Sequence, residues 1–383
     1  LLPVNPEKVS EKKRIRVLQC IRQGQIGGGE SHLLSLTENL DKSEFDPVVL
    51  SFTDGPMIRQ LETMNINTAV IHTEKPFDFM KWGAITRWVK NQNVDLIHAH
   101  GTRANSNIFW AAKKLKVPLV YTIHGWSFHD DQTRLVKQIR TWGERFLTSR
   151  SSVNISVSQS NKETGIRHFS NFLSEVVYNG IDTNKFNPHN NFPSLREELN
   201  IPDESVLVLF LGRFTHQKQP LALMKAFEKA AATNPHTYLL MVGDGELKKE
   251  AEMKYQTSAF KNRMQLLPFR ADVPAVLYAA DIFVLPSLWE GMPIALLEAM
   301  AMGKAIIATQ TDGVREIIRN NVNGLLIATD NIENDLETAL DTLCSNGELR
   351  KKLAAGAMET VRDNFCAASM TRQIESIYRR LLN

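Results

Sequence analysis

Thirteen short apolar or β-branched runs punctuate the chain, and longer amphipathic stretches separate them. That alternation restricts the chain to α/β architecture, because strands spaced by helix-length segments build βαβ units and parallel sheets. The first series predicts strands over Ile15–Ile21, Pro47–Phe52, Thr68–Ile71, Val94–His98, Leu119–Ile123, Val153–Val157 and Glu175–Tyr178. The second predicts Val206–Leu211, Thr237–Val242, Met264–Leu267, Ile282–Leu285, Ala305–Ala308 and Gly324–Ile327. At roughly 100 to 200 residues per domain, 383 residues make two domains. Between the series lie Asn179-Gly180-Ile181-Asp182 and then Pro188, Pro193 and Pro202, a density of turn residues that marks a hinge. We therefore expect doubly wound domains over 1–182 and 183–365. The segment 366–383 carries Met370, Ile374, Ile377 and Leu381 at helical spacing and must pack on something.

Several classes drop out. Three scattered cysteines, Cys20, Cys344 and Cys366, make neither a disulfide framework nor a zinc site and fit a reducing, cytosolic setting. No apolar run reaches the ~18 residues of a membrane span, and Leu1–Arg14 lacks the apolar core of a signal peptide. A net charge of +3 gives no overall basic excess for wrapping nucleic acid.

Open parallel sheets bind ligands beyond the carboxyl ends of their strands, so the residues there carry the functional signal. After Val206–Leu211 come Gly212 and Arg213, with Lys218 before the next helix: a forked and a compact cation suited to a diphosphate, or two solvated loop cations. After Ile282–Leu285, Glu290, Gly291, Met292 and Pro293 lead into a helix over Ile294–Met302, whose first amides can face an anion while Gly291 admits close approach. Glu298 is the one charge in that apolar helix. Burying a carboxylate alone is costly, so it needs donors such as ribose hydroxyls, or an ion pair with Lys304.

The first half offers Gly24-Gln25-Ile26-Gly27-Gly28-Gly29-Glu30 after its first strand, a loop whose amides can reach phosphate or sugar oxygens but whose spacing fits the dinucleotide fingerprint poorly. His124 follows Leu119–Ile123, and Val94–His98 ends at His98-Ala99-His100-Gly101. Two histidines at i and i+2 share a strand face and can ligate metal, yet no third ligand is evident and no D-x-D occurs, which disfavours a divalent ion at a diphosphate. Asp130-Asp131 reads as a helix start.

Together these residues resemble the family 4 retaining glycosyltransferases of GT-B fold. The segment 286–301, with Glu290 and Glu298, resembles their E-x7-E signature, and Gly27-Gly28-Gly29-Glu30, His98-Ala99-His100, His124-Gly125, Tyr178 to Asp182, Gly212-Arg213 with Lys218, Gly243-Asp244-Gly245 and Ala280-Asp281 follow in order. The resemblance covers nearly the whole chain. It implies two Rossmann-like domains around a cleft, with the last helix crossing back to the first. It further implies that Arg213 and Lys218 hold the diphosphate of a nucleotide-sugar donor, that Glu298 binds ribose, and that Glu290 and the amides of Gly291, Met292 and Pro293 hold sugar and phosphate. His124 would contact the transferred sugar, Gly27 and Gly28 would approach donor or acceptor, and Arg270 would lie near the base. The catalytic set is then His124, Glu290, Arg213 and Lys218, with no metal and no cofactor. His100 and Arg103 are acceptor-side candidates. The family pattern Gly-Gly-x-Pro-Glu is replaced by Asp312-Gly313-Val314-Arg315-Glu316, and Lys304 stands where proline is frequent.

The implied reaction is same-face transfer, probed against two rivals: an epimerase or phosphorylase of the same fold, and a non-catalytic nucleotide-sugar-binding protein. UDP leads GDP and ADP as carrier, and bacterial surface polysaccharide, lipopolysaccharide or glycolipid assembly leads as setting. The charge is also uneven. Residues 1–180 carry 23 basic and 17 acidic side chains, against 22 and 25 in the remainder, and 79–150 alone carry 12 against 4. Solvated helix faces account for that window; so does a peripheral contact of the acceptor side with an anionic membrane or phosphorylated lipid.

Overall fold

The computed structural model describes residues 13–24, 27–129 and 132–383; the expected start of a helix at Asp130-Asp131 and the Leu1–Arg14 reading up to residue 12 lie outside them. Two all-parallel sheets form. The first contains β1 (Ile15–Ile21), β2 (Phe45–Ser51), β3 (Asn67–Val70), β4 (Leu96–His100), β5 (Leu119–Ile123), β6 (Val153–Ser156) and β7 (Glu175–Val176), in the order β3-β2-β1-β4-β5-β6-β7. The second contains β8 (Val206–Leu211), β9 (Thr237–Val242), β10 (Met264–Leu267), β11 (Ile282–Leu285), β12 (Ala305–Thr309) and β13 (Leu325–Ile327), in the order β10-β9-β8-β11-β12-β13. Each is a doubly wound sheet whose order reverses beside its first strand, at β1/β4 and at β8/β11. Helices on both faces bury the strands, which is why β8 and β11 read as unbroken apolar runs rather than alternating ones.

One strand lies two residues from its expected place. β4 begins at Leu96, because the Asp95 carboxylate accepts the Arg16 amide at 2.8 Å and its own amide donates to the Arg16 carbonyl at 2.8 Å, closing the preceding turn. His98 and His100 therefore lie within the sheet, opposite Gln19 and Ile21 of β1, rather than after it. Pro47 is tolerated inside β2 because β3 pairs only from Val48 onward, so its missing N–H faces no partner strand there.

The last helix, Ala367–Leu382, returns to the first sheet. Met370, Ile374, Ile377 and Tyr378 pack on Val17, Leu96, Val120 and Ile155. Full burial of such side chains contributes about 1.5–3 kcal/mol each, whereas the half-exposed Arg379–Glu44 pair on the same helix belongs to the class worth about 0–1 kcal/mol, so the apolar face decides the docking. The outgoing and returning chain segments meet at a bridge between Ile181 and Cys366.

Candidate active site

Both sequence changes of direction in the sheets place loops at the same cleft. On the second sheet, the loops after β8 and β11 are tied together: the Gln217 side chain donates to the Trp289 carbonyl at 2.7 Å and the Leu288 amide to the Gln217 carbonyl at 2.8 Å. Lys218 and Glu290 form an ion pair, each side chain mostly shielded from solvent, and Arg213 stands exposed at the end of β8. Gly291 lies against the first sheet. A Cβ on it would meet the His124 carbonyl oxygen at 2.3 Å, and a Cβ on Gly313 would meet the Gly291 carbonyl at 1.7 Å, so both must lack a side chain for the three segments to close. Pro293 occupies the capping position before the helix Ile294–Ala301, one residue earlier than the usual first-turn site for proline.

Glu298, on that helix, is buried. Among the described residues no donor is hydrogen-bonded to its carboxylate, and burial raises its pKa to about 7, opposed by the charge of Lys185. The anticipated partner is elsewhere: Lys304 donates to the carbonyls of Tyr278 at 3.1 Å and Ala280 at 2.9 Å. Burial of its ammonium lowers its own pKa to about 8, against the charge of Asp281. A carboxylate left without a donor in a cleft is a place where a ligand's hydroxyls restore the missing bonds.

From the first sheet, Gly27 precedes the helix Gly28–Asn39, and a Cβ on Gly29 would touch the His124 ring at 3.4 Å. His124 rests on a buried polar chain whose hydrogen positions follow from donor counting. Gln19 Nε2 donates to the Tyr378 hydroxyl at 3.0 Å, and that hydroxyl donates its single proton to His98 Nδ1 at 2.6 Å. His98 Nε2 donates to Thr122 Oγ1 at 2.7 Å. Gln19 Oε1 accepts from His100 Nε2 at 2.9 Å, which leaves His100 Nδ1 to accept from His124 Nε2 at 3.2 Å. His124 Nδ1 is then a lone-pair acceptor. Burial lowers all these imidazole pKa values, that of His32 to about 4, so the chain is neutral at physiological pH. Replacing Tyr378 by phenylalanine strands Gln19 Nε2 and His98 Nδ1 in the core. We expect a loss of about 1–3 kcal/mol in urea denaturation, against no change for an exposed tyrosine such as Tyr278→Phe.

The metal-ligating pair expected at His98 and His100 does not form, because both ring nitrogens of His98 are engaged by Tyr378 and Thr122; the histidine cluster instead joins His100 to His32 and His124. Ligand atoms of His32, His100 and His124 lie within 4.8 Å of one another, and His32 Nε2 has no hydrogen-bond partner. An ion there would take the nitrogens that His100 and His124 now share.

Two sequence families match in tandem: Glycosyltransferase Family 4 over residues 26–185 and Glycosyl transferases group 1 over residues 191–360. The chain belongs to the family 4 glycosyltransferases. This glycosyltransferase is 29% identical, over 85% of its length and 87% of the relative's, to UDP-Gal:alpha-D-GlcNAc-diphosphoundecaprenol alpha-1,3-galactosyltransferase of Escherichia coli. It is 28% identical, over 72% and 74%, to N,N'-diacetylbacillosaminyl-diphospho-undecaprenol alpha-1,3-N-acetylgalactosaminyltransferase of Campylobacter jejuni. Among solved structures, HepE of Anabaena in complex with UDP and glucose superposes with a TM-score of 0.84 at 23% identity, covering 96% of this chain and all of that one. The fold is GT-B.

The remaining expected site residues of the glycosyltransferase are placed as follows. Arg270 forks onto Asp272 at 2.9 and 2.7 Å and reaches Glu198 at 2.6 Å; these anions raise its pKa and hold it in an ion-pair network of its own. Arg103 is bonded to the carbonyl of Thr73 and feels the charges of Arg22 and Asp78. His100 is 2% exposed with both ring nitrogens engaged, so it stands behind His124 instead of meeting an acceptor, as a strand-end reading had placed it.

Three further residues join the two halves. Asn179 accepts from His32 Nδ1 at 2.9 Å and donates to the Met292 carbonyl at 3.0 Å, so the hinge asparagine bridges the histidine cluster and the donor-side loop. Glu316 accepts the amides of Gln159 and Ser160 at 2.8 and 2.7 Å, capping a first-sheet helix from the second sheet. Glu30 is buried behind the glycine loop, its pKa raised to about 7 by burial while Arg22 and Arg213 act against the rise. The motif Asn-Gly-Ile-Asp at 179–182 was visible as turn residues and Glu316 as part of the altered loop, but nothing local identified their partners across the cleft.

Proposed function

We propose that this glycosyltransferase moves a sugar from a UDP-sugar to a hydroxyl of a lipid-linked saccharide, with retention of configuration and without a metal ion. The observation that carries the reading is the Lys218–Glu290 pair with Arg213 at the β8/β11 switch point, facing His124 and the glycine loop. The E. coli and C. jejuni relatives support the acceptor class, since both act on sugars attached to undecaprenol diphosphate, and both form alpha-1,3 linkages. HepE, crystallised with UDP and glucose, supports the carrier.

In this reading Arg213 and Lys218 neutralise the departing diphosphate, and the first-turn amides after Pro293 add their partial positive charge. The bond from the sugar's anomeric carbon to the diphosphate oxygen breaks as the acceptor oxygen bonds on the same face. The acceptor's proton passes to the released diphosphate, so no protein nucleophile is consumed. Glu298 accepts the ribose hydroxyls, and Glu290 and His124 orient the transferred sugar; the lone pair of His124 Nδ1 can accept from one of its hydroxyls. Arg103 stays on the acceptor side and Arg270 supports the β10 loop near the base. A panel of UDP-, GDP- and ADP-sugars with a polyprenol-diphosphate sugar, with and without EDTA, tests the proposal through released nucleoside diphosphate and product anomericity. Chelator-insensitive UDP release coupled to an α-linked product is expected. An epimerised sugar from donor alone, or tight donor binding without turnover, would return one of the rival readings.

A further inference from the structure

We infer that the face built by the helix Arg134–Thr148 together with Phe79, Met80 and Trp110 docks on an anionic lipid bilayer, an inference that rests on the lipid-linked acceptor class proposed above. The helix anchors its C-terminal end in the core through Leu147 and Phe146, yet carries a second apolar stripe on its solvent side. Leu135, Ile139 and Trp142 recur at i, i+4 and i+7 and are 67%, 61% and 68% exposed, with Val136 beside them. Its buried side carries a carboxylate beside Leu147: Glu144 accepts from Thr102 at 2.6 Å, Tyr121 at 2.9 Å and the Ser127 amide at 3.2 Å. An amphipathic helix normally turns its apolar stripe inward, so a stripe left outside points to an apolar partner.

The exposed rings are linked through the core beneath them, where Phe109 is buried. Trp142 stacks on Phe146 at 6.1 Å, Phe146 meets Phe109 at 5.3 Å, Phe109 meets Trp82 at 5.1 Å, and Trp82 stacks on the half-exposed Trp110 at 5.6 Å. Phe79 and Met80, at the start of the neighbouring helix Phe79–Gln92, are exposed as well.

Charge selects the partner. Arg134, Arg140 and Arg145 lie on the exposed helix, while its one acidic side chain, Glu144, is buried. Lys81, Lys113 and Lys114 belong to the two adjoining helices, and Lys113 sits over the Trp110 ring at 5.7 Å. Cations and tryptophans around an apolar stripe match the headgroup boundary of an anionic leaflet, where the rings enter the interface and the cations meet phosphates. No described helix is long and apolar enough to cross a membrane, so this one lies along the surface. The face also adjoins the cleft. His129 stacks on Trp289 of the donor-side loop at 5.3 Å, and five residue steps, at most about 18 Å, separate it from Arg134. A polyprenol-anchored sugar held in the bilayer under this face has a short path to His124.

The test is co-sedimentation of the full chain with vesicles of phosphatidylcholine alone or mixed with phosphatidylglycerol. Binding is expected only with phosphatidylglycerol. The pair Ile139→Glu and Trp142→Glu should weaken it by about tenfold or more, and Arg134→Glu with Arg140→Glu should do the same while leaving the apolar stripe intact. Circular dichroism and UDP calorimetry confirm that each variant is folded and binds nucleotide. Transfer to a short-chain, water-soluble polyprenol analogue should be unchanged in both variants, which separates docking from catalysis: its absence in the parent chain would count against the proposed reaction, not the docking. A parent chain that stays in the supernatant with anionic vesicles, or variants that sediment like it, would overturn the inference. So would a dimer in light scattering that Ile139→Glu and Trp142→Glu dissolve, because the face would then be a contact between copies.

Discussion

Lys218→Ala is expected to lower kcat/KM by about 10²–10³, the range typical of removing one preorganised electrostatic group from the charge that develops in a transition state. Two effects combine. The variant loses a cation at the departing diphosphate, and it leaves Glu290, whose side chain is only 9% exposed, without its ion-pair partner. Breaking one partner of a buried pair costs about 3–5 kcal/mol; this pair retains some access to water, so the lower end or below is expected in denaturant unfolding. Adding Glu290→Gln separates the effects. The double variant should recover most of the stability, because the orphaned charge is gone, and recover none of the transfer. Rates are read as UDP release at subsaturating donor. Wild-type kcat/KM in Lys218→Ala would remove the cation from the mechanism, and restored activity in the double variant would show that Lys218 acted only as a counterion.

Glu298→Gln is expected to move stability and activity in opposite directions. With its pKa raised from 4.5 to about 7 by burial, Glu298 keeps its proton in the folded chain over a range where the unfolded chain has released it. Between pH 4.5 and 7 the native state therefore binds more protons, and unfolding free energy falls as pH rises through that window. The accumulated cost is on the order of 3 kcal/mol above pH 7, at 1.36 kcal/mol per unit. Glutamine carries no such charge, so the variant without ligand should be more stable than the parent at pH 8 and nearly equal to it at pH 4.5. Its donor affinity should fall at least about tenfold, since the amide cannot accept two ribose hydroxyls as a carboxylate does. Chemical denaturation at the two pH values and UDP calorimetry measure both. Equal stability at pH 8 would show that Glu298 already has its charge satisfied, and undiminished UDP binding would remove it from the ribose contact. Glu30, with a pKa also raised to about 7, adds to the same downward slope, so the parent chain should keep part of its pH dependence after Glu298 is replaced.

The two halves of the site were unequally legible. On the second sheet, β8, β9, β10 and β11 have the bounds expected from the sequence, because apolar strands flanked by turns and helix starts are local patterns. Arg213, Lys218, Glu290 and Glu298 follow those strand ends, so their convergence at one switch point needed only the strand order. The first sheet was harder. His98 and His100 read as strand-end residues because polar side chains are costly in a sheet interior, yet Gln19, Thr122, Tyr378 and His124 satisfy them there. One of those partners lies 280 positions away, and no window of sequence contains both ends of such a bond.

Alternation of short apolar runs with amphipathic stretches was enough to determine the α/β class and the two sheets, since hydrophobic period and turn chemistry act over a few residues. The uncovered stripe on Arg134–Thr148 shows where local reasoning stops. Spacing marks Leu135, Ile139 and Trp142 as one face, but only the packed molecule decides that Glu144 turns inward and the apolar face outward. The ion pair of Lys218 with Glu290, the cap that Glu316 places on another sheet's helix, and the bridge of Asn179 between His32 and Met292 were likewise decided by tertiary structure. Each joins groups whose separation in sequence carries no energetic signal until burial removes water and forces every polar atom to find its partner.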